Sequence, residues 1–340
     1  MKKLLLFLLL GFISAQLNAQ KSDVTALFRE EKTLDVKLRV SIKDIKKKTN
    51  DSTYLPAMFY VKNESGTWDS IKIGVRARGI FRRANCYFSP IRIKISKADA
   101  KGTALEGNKS LKLVMPCQNN DGKNALVLRE YICYKMYEPI TPYYFHTRLL
   151  NVDFTESDGK KNKNFQLTAI LIEDDDLVAK RYHAKVMDNL NLHPLALNDT
   201  AALRHDLFQL MVANTDWSTT FLHNAKVIMQ EPKKYYPLTY DFDMSGFVNA
   251  PYAQVSEELG IANVRERIYR GFCRKEPVVQ AIRKQFIDLE PTIIGKIDQY
   301  EKTFSPRDMK DMKGFIGEFF TILKDNDKFN KYVVEGCRKK

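Results

Sequence analysis

The stretch KTLDVKLRVSIK, residues 32–43, indicates what kind of fold begins the chain. Apolar and polar residues alternate through it, the apolar ones being Leu34, Val36, Leu38, Val40 and Ile42. Successive side chains of a strand point to opposite faces, so a period of two is typical of a strand with one buried and one wet face. The stretch therefore predicts a sheet.

The same alternation recurs at Ile71–Val75 and Ile91–Ile95. Further strands are predicted at Ser110–Met115, Phe145–Phe154 and Phe165–Glu173. One helix interrupts them, because NALVLREYICYKMY has apolar residues near helical spacing and a proline follows two residues later. The first half of the chain is predicted to be rich in sheet.

The second half is predicted to be mostly helical. Asp199 or Thr200 can cap one helix, and Ser305 followed by Pro306 can open another. At 340 residues and 44% hydrophobic, the chain can bury a large core. We expect an α+β fold with a β-rich lobe at residues 20–180 and a helical lobe at residues 181–340.

Residues 1–20, MKKLLLFLLLGFISAQLNAQ, have the order of features of a secretion signal. An apolar run from Leu4 to Ile13 follows a basic start, and small residues stand near Ala19. The run turns polar well short of the roughly 20 apolar residues that a membrane-spanning helix needs. We therefore expect a signal peptide at residues 1–19, in preference to a retained anchor. The mature protein would be secreted or periplasmic, with no transmembrane segment.

Five cysteines allow at most two disulfides, with one thiol left over. Their spacing does not fix the pairing. Cys86 with Cys117 is preferred only slightly over a set of buried thiols, because both lie at the ends of strand-like segments in the same half of the chain. The net charge of +14 is spread along the chain, as on an ordinary solvated surface, and would attract an anionic surface or ligand. No nucleic-acid motif accompanies it, so nucleic acid is not an expected partner.

The segment at residues 214–246, NTDWSTTFLHNAKVIMQEPKKYYPLTYDFDMSG, concentrates oxygen-bearing side chains: Asp216, Asn224, Asp241 and Asp243. The runs NAKVIMQ and YYPLTYDFD flank the turn EPKK and predict a hairpin. If the turn is centred between the proline and the first lysine, Asn224 faces Asp241, and Asp243 emerges on the same side. Pro237 requires an edge strand or a bulge.

Two carboxylates and a carboxamide that converge repel one another unless a cation neutralises them, and Mg²⁺ prefers such oxygen ligands. Phosphoryl transfer uses one carboxylate to orient or deprotonate the acceptor hydroxyl, while an Asn and an Asp hold metal on the nucleotide phosphates. Taken singly, each of the four residues can also be a turn cap, a strand start or an exposed loop acid.

The blocks NTDWSTTFLHN and YDFD together resemble the CotH-type kinase family, the atypical secreted and spore-coat kinases. Members pair an N-x-D turn and a following H-N with a D-x-D after a β-hairpin. RRANC, LKLV and YRGFC are similar to blocks of a set of uncharacterised secreted bacterial proteins. The resemblance covers residues 70–250 loosely and is specific over residues 214–243. It implies a two-lobed atypical kinase-like fold, with Mg²⁺ and ATP as cofactors.

On this resemblance Asp216 is the catalytic aspartate, Asn224 and Asp241 are metal ligands, and Asp243 has a second metal or structural role. The strand that ends at Glu173 would enter the nucleotide-binding hinge.

The family's paired lysines ahead of the PIRIKI-like strand are replaced here by Phe88 and Ser89. The candidates for the phosphate-binding lysine are then Lys94 and Lys112. Glu130 on the predicted helix is the candidate ion-pair partner.

Three functions remain open from the sequence. The first is a secreted CotH-like kinase that transfers phosphate from Mg-nucleotide to a protein or glycan hydroxyl. The second is a non-catalytic binding module of the same fold for an anionic envelope component, which the missing lysine pair favours. The third is a metal-dependent hydrolase that uses the same acidic cluster.

Overall fold

The computed structural model describes residues 24–79, 81–157, 161–188 and 192–339. The predicted signal peptide lies outside the described residues. The described chain divides into two compact units. The first contains the residues up to Met115 together with Thr147–His183, and the second contains Pro116–His146 and the residues from Ala184 onward.

The first unit is built on a closed barrel of seven strands. Around the barrel the order is β1-β2-β3-β4-β5-β7-β6, and β6 closes the ring by pairing in parallel with β1. Every other neighbouring pair is antiparallel. The strands are β1 (Leu34–Val40), β2 (Leu55–Lys62), β3 (Trp68–Ala77), β4 (Ile91–Ile95), β5 (Ser110–Val114), β6 (Thr147–Ser157) and β7 (Asn162–Ile172).

The barrel interior is an apolar core supplied by alternate residues of the strands. Leu38 of the opening stretch, Phe59 and Ile93 are among its fully buried side chains. Burial of such side chains contributes about 1.5–3 kcal/mol each relative to exposure. A ring of this size is filled by its own inward-facing side chains. Strands predicted from period-two alternation, including β1, β3 and β4, are confirmed.

The helices follow in chain order, the first four and the sixth belonging to the first unit. They are α1 (Ala26–Arg29), α2 (Ile42–Lys48), α3 (Phe81–Asn85), α4 (Lys97–Ala100), α5 (Lys123–Tyr137), α6 (Asp175–Arg181), α7 (Asp199–Met211), α8 (Glu276–Asp298), α9 (Pro306–Lys324) and α10 (Asn326–Phe329). Short 3₁₀ turns occupy Pro194–Ala196 and Glu257–Leu259, and a π-turn occupies Asn330–Val334.

The second unit contains the remaining helices and a small antiparallel sheet. The sheet contains β8 (Ala184–Met187), β9 (Ala225–Gln230) and β10 (Lys234–Thr239), in the order β10-β9-β8. Helix α8 packs against α5, α7 and α9, and α7 also packs on β10. Strand β10 lies at the sheet edge, which confirms the restriction that Pro237 imposes.

Several helix ends follow from capping chemistry. The hydroxyl of Ser305 accepts a hydrogen bond from the backbone N–H of Asp308, with Pro306 at the first helical position of α9, as predicted. Helix α7 begins one residue earlier than predicted, because Asn198 is its cap. Ser41 caps α2, so β1 ends at Val40 and the opening stretch does not stay extended to its last residue.

The predicted two-lobed, kinase-like arrangement of a β-rich half followed by a helical half is wrong. The fold contains a closed, mixed barrel, and the chain crosses between its two units more than once. Strand period says which face is buried but not which strand completes the ring. The closing β1–β6 pair joins Leu34 with Leu150, far apart in sequence. The observed structure is a barrel-containing α+β fold.

Cys273 and Cys337 form a disulfide in the second unit. Cys86 and Cys117 are also disulfide-bonded, and within the described residues Cys133 is the free, buried thiol. A search of the described part of the chain finds no helix both long and apolar enough to cross a membrane.

Candidate active site

The backbone around Asp216 is fixed by a polar turn just beyond α7. The side-chain oxygen of buried Asn214 accepts a hydrogen bond from the Asp216 N–H at 3.1 Å. The indole N–H of Trp217 donates to the Asn214 carbonyl at 3.1 Å. Asn214 itself donates to Gln209 on the last turn of α7. Because Asn and Asp side chains readily form such turns, the N-x-D-W sequence locks Asp216 at a helix end.

The Asp216 carboxylate takes a hydrogen bond on each oxygen. The His223 ring nitrogen Nε2 donates to Oδ1 at 2.8 Å, and the Asn224 amide donates to Oδ2 at 2.9 Å. The same amide nitrogen also donates to the Asp216 carbonyl at 2.8 Å. The Asp216 side chain is still 38% exposed and that of His223 56% exposed. The carboxylate is thus held in place while solvent and ligands can reach it.

The Asp216–His223 pair shifts the imidazole toward its charged form. The pKa of His223 is raised above its usual value, first by the hydrogen bond from the ring to Asp216 and further by the charges of Asp216 and Asp241. Partial burial and the Arg270 guanidinium oppose this rise. The pair therefore combines a carboxylate acceptor with a histidine whose charged form is favoured.

The hairpin that carries Asn224 has a different register from the predicted one. Thr239 pairs with Ala225, and the Tyr240 N–H donates to the Asn224 carbonyl at 3.2 Å, so Asn224 lies opposite Tyr240 and not Asp241. The loop between Gln230 and Lys234 has three residues, one fewer than the four of the predicted EPKK turn. Shifting a register by one residue reverses which face each side chain takes.

Asp241 nevertheless lies in the same neighbourhood as Asn224. It directly follows Tyr240, and its N–H donates to the Tyr134 hydroxyl at 2.9 Å. Asn224 and Asp241 both adopt left-handed backbone conformations, with φ of 48° and 66°. Asn and Asp tolerate this conformation better than most residues. The two turns, and not strand alternation, decide where these side chains point.

Asp243 is placed differently from the other three predicted residues. It is buried, as is its neighbour Phe242. A position sealed from solvent favours the structural half of the role given to Asp243.

The candidate metal ligands provide few of the donor atoms that a bound cation requires. Over the described ranges, no group of three or more His, Cys, Asp and Glu side chains could hold a metal ion. Asn224 and Asp241 supply two oxygen-bearing side chains, and the Asn224 amide nitrogen is the atom that Asp216 uses. Mg²⁺ commonly binds through one or two protein oxygens with waters and substrate phosphates completing its shell. Two such side chains are too few for a closed structural site.

The predicted phosphate-binding lysines lie in the barrel unit. Lys112 on β5 is 3% exposed, and its ammonium is 2.7 Å from Asp175 and 3.4 Å from the Glu173 carbonyl. Lys94 on β4 is exposed, 5.7 Å from the ring of Tyr54. Lys112 is thus committed to partners within its own unit.

The two glutamates predicted at the nucleotide site, Glu130 as an ion-pair partner and Glu173 at the hinge, are both buried. Glu173 binds the Arg181 guanidinium through both oxygens, at 2.7 and 3.1 Å. Glu130 lies on α5 of the second unit, where burial first and the Glu130 charge second raise the pKa of the Cys133 thiol. The Glu173 carboxylate is thus occupied by an ion pair within its own unit.

Sequence reasoning missed two contributors to the site. For His223, the available signal is its position before Asn224 in an H-N pair. Arg270 donates to the carbonyls of Thr215 and Trp217, the residues on either side of Asp216. No local pattern links an arginine to a turn over 50 residues earlier, since only the fold brings them together.

No protein-family model matches the chain, and no curated protein sequence matches it. The residues of the site must therefore carry any functional conclusion by themselves.

Proposed function

We propose that the chain is a phosphotransferase in which Asp216 activates a hydroxyl group of a protein or glycan acceptor. The observation that carries this proposal is the Asp216 carboxylate, oriented by two donors yet open to solvent. A general base must lie within hydrogen-bond reach of the proton that it removes, in a fixed orientation. The hydrogen bonds from His223 and Asn224 fix the orientation of the Asp216 carboxylate before any substrate binds.

The neighbouring residues have distinct tasks in this proposal. His223 and Asn224 hold the carboxylate plane, so that the oxygen lone pairs face an incoming hydroxyl in one orientation. The raised pKa of His223 favours its charged form, which strengthens the hydrogen bond that the ring donates to the carboxylate. Asn224 and Asp241 would hold Mg²⁺, which would neutralise charge on the nucleotide phosphates.

The resemblance of NTDWSTTFLHN and YDFD to CotH-type kinases supports the same roles, although the prediction of a kinase-like fold was wrong. A phosphotransferase activity does not require that fold, since the same chemistry recurs on unrelated scaffolds. We further propose that the protein works outside the cytoplasm. The disulfide between Cys273 and Cys337 supports this, because such bonds persist in oxidising compartments.

Nucleotide binding tests this proposal. We expect calorimetry to detect ATP binding in the presence of Mg²⁺ and loss of that binding with a chelator. Asp241→Asn should weaken Mg-ATP binding by about tenfold or more, because a charged ligand is lost. Asp327→Asn removes an exposed carboxylate on α10 and should have no effect. If Asp241→Asn binds Mg-ATP as well as the wild type, the metal assignment fails.

A non-catalytic binding module is the second candidate, and the lysines favour it. Lys112 is already paired with Asp175 in its own unit, and Phe88 and Ser89 stand where the family has its lysine pair. If the protein binds no nucleotide and Asp216→Ala keeps its biological activity, this second function replaces the first. Phosphoester hydrolysis without any labelled acceptor would instead indicate a hydrolase.

A further inference from the structure

A groove of about 680 Å³ lies in the second unit. Residues 331–338, the C-terminal segment, form part of its lining. Cavities of roughly 300–1,000 Å³ are the size that binds small ligands or short segments. Its walls include three cationic side chains, Arg270, Lys331 and Arg338, and the apolar residues Leu259 and Ile268. The groove thus combines positive charge with apolar surface.

The groove is physically joined to the Asp216 turn through Arg270. One guanidinium nitrogen of Arg270 donates to the carbonyls of Thr215 and Trp217, the latter at 3.1 Å. The guanidinium also lies 5.4 Å from the Trp217 ring. A ligand that contacts Arg270 in the groove therefore lies beside the backbone that carries Asp216.

The backbone directly after Arg270 pairs with the C-terminal segment. Arg338 N–H donates to the Gly271 carbonyl at 2.9 Å, and Cys273 N–H donates to the Arg338 carbonyl at 3.0 Å. The Arg338 guanidinium lies 4.6 Å from the Phe272 ring. Because the Cys273–Cys337 disulfide adjoins this contact, it keeps Arg338 next to the segment that contains Arg270.

These cations are not neutralised within the described chain. Among the described residues, Arg270, Lys331 and Arg338 make no ion pair with a carboxylate, and Lys331 and Arg338 are exposed. Arg267 also lines the groove, but it is paired with Glu318 at 3.0 Å. Glu258 is the one acidic residue in the lining. Guanidinium groups bind carboxylates through paired hydrogen bonds, so the groove is complementary to negative charge.

We propose that this groove binds an acidic peptide segment of the acceptor and so delivers a neighbouring hydroxyl to Asp216. The proposal rests on the phosphotransferase function proposed above, for which it names the substrate class. Carboxylates of the peptide pair with Arg270, Lys331 and Arg338, while its apolar atoms contact Leu259 and Ile268. A free phosphate ion would use the cations but leave the apolar wall unfilled.

Fluorescence anisotropy with a labelled peptide of alternating glutamate and serine tests the groove. The isosteric peptide with glutamine in place of glutamate is the neutral control. The double variant Lys331→Glu/Arg338→Glu should bind the acidic peptide at least about tenfold more weakly than the wild type does. Binding of this peptide by the wild type should also weaken at high salt. Lys302→Glu/Lys310→Glu changes the net charge equally at exposed lysines outside the groove and should bind normally.

Three results would overturn the groove proposal. These are equal affinity for the glutamate and glutamine peptides, an equal loss in both double variants, and binding of inorganic phosphate without binding of the peptide.

Asp216→Asn separates failure of the groove from failure of the enzyme. It should bind the acidic peptide like the wild type, because Asp216 does not line the groove. Peptide binding without any phosphate transfer by the wild type would retain the groove and remove the phosphotransferase function. Phosphate transfer that is equally fast to both peptides would retain the phosphotransferase function and remove the groove proposal.

Discussion

Two ion pairs, one in each unit, differ in their exposure to solvent. In the barrel unit, Lys112 and Asp175 are 2.7 Å apart and only 3% and 13% exposed. In the second unit, Asp216 and His223 are 2.8 Å apart and 38% and 56% exposed. A buried charge must keep its partner, whereas an exposed charge can exchange its partner for water or a ligand.

The barrel pair belongs to a cluster that is saturated by its own unit. Asp174 caps α6 and also pairs with Arg92, which lies across from Lys112 in the strand register. Burial alone would raise the pKa of Asp175, but the Lys112 ammonium, the hydrogen bond from it and the Arg92 guanidinium together lower it. Burial also lowers the pKa of Lys112. The candidate lysine Lys112 is therefore part of the buried structure of the barrel unit, whereas the Asp216 carboxylate is accessible to ligands.

The largest expected effect is on the exposed pair. Asp216→Asn should reduce phosphate transfer by about 10²–10⁴-fold, because a positioned general base contributes that much. The change should leave the free energy of unfolding within about 1 kcal/mol of the wild type, since the pair is exposed. Transfer of label from γ-labelled ATP and urea unfolding measure the two quantities. A large loss of stability would mean that Asp216 is structural.

Lys112→Met should lower the free energy of unfolding by about 3–5 kcal/mol, because it leaves Asp175 buried without its ammonium. Lys94→Met removes an exposed lysine from the neighbouring strand and should change stability by less than about 0.5 kcal/mol. Urea denaturation of the two variants at neutral pH makes the comparison. Equal effects would contradict the buried, structural role of Lys112.

Acid should weaken the stabilising contribution of the barrel pair. Because the pKa of Asp175 is lower in the folded state than in the unfolded chain, its contribution is present above about pH 4 and is lost as the pH falls below that value. Asp175→Asn should remove a part of the acid sensitivity on the order of 1 kcal/mol, measured by unfolding at neutral and acidic pH. Asp216→Asn should leave that sensitivity intact, and a reversed pattern would contradict the assignment.

The smallest expected effect concerns Phe221, whose side chain is 85% exposed in the loop between Asp216 and His223. Phe221→Ser should raise the KM for the acceptor by about threefold without changing kcat, as expected when a binding contact is lost equally from ground and transition states. Stability should stay within about 0.5 kcal/mol. A fall in kcat instead would place Phe221 in the catalytic turn itself.

The sequence predicted individual elements better than their assembly. Alternation located β1 and β4, and cap chemistry located the start of α9, because both signals are local. Closure of the barrel depends on pairing between β1 and β6, which no local period encodes.

The site shows the same division between local and distant information. The N-x-D-W turn and the H-N pair are contiguous in sequence, so Asp216 and Asn224 could be selected together. The hairpin register was missed by one residue because the loop at Pro232 has three residues. Arg270 and Tyr134 reach the site only through the fold, so their roles could not be predicted from the sequence.

The most direct test measures transfer and stability together in Asp216→Asn and Lys112→Met. Both variants and the wild type are incubated with γ-labelled Mg-ATP and acceptor at a temperature where each is folded, and their unfolding is followed in parallel. We predict that Asp216→Asn is stable but inactive, whereas Lys112→Met is destabilised but transfers phosphate while folded. Labelled acceptor from Asp216→Asn at the wild-type rate would contradict the role of Asp216 as the base.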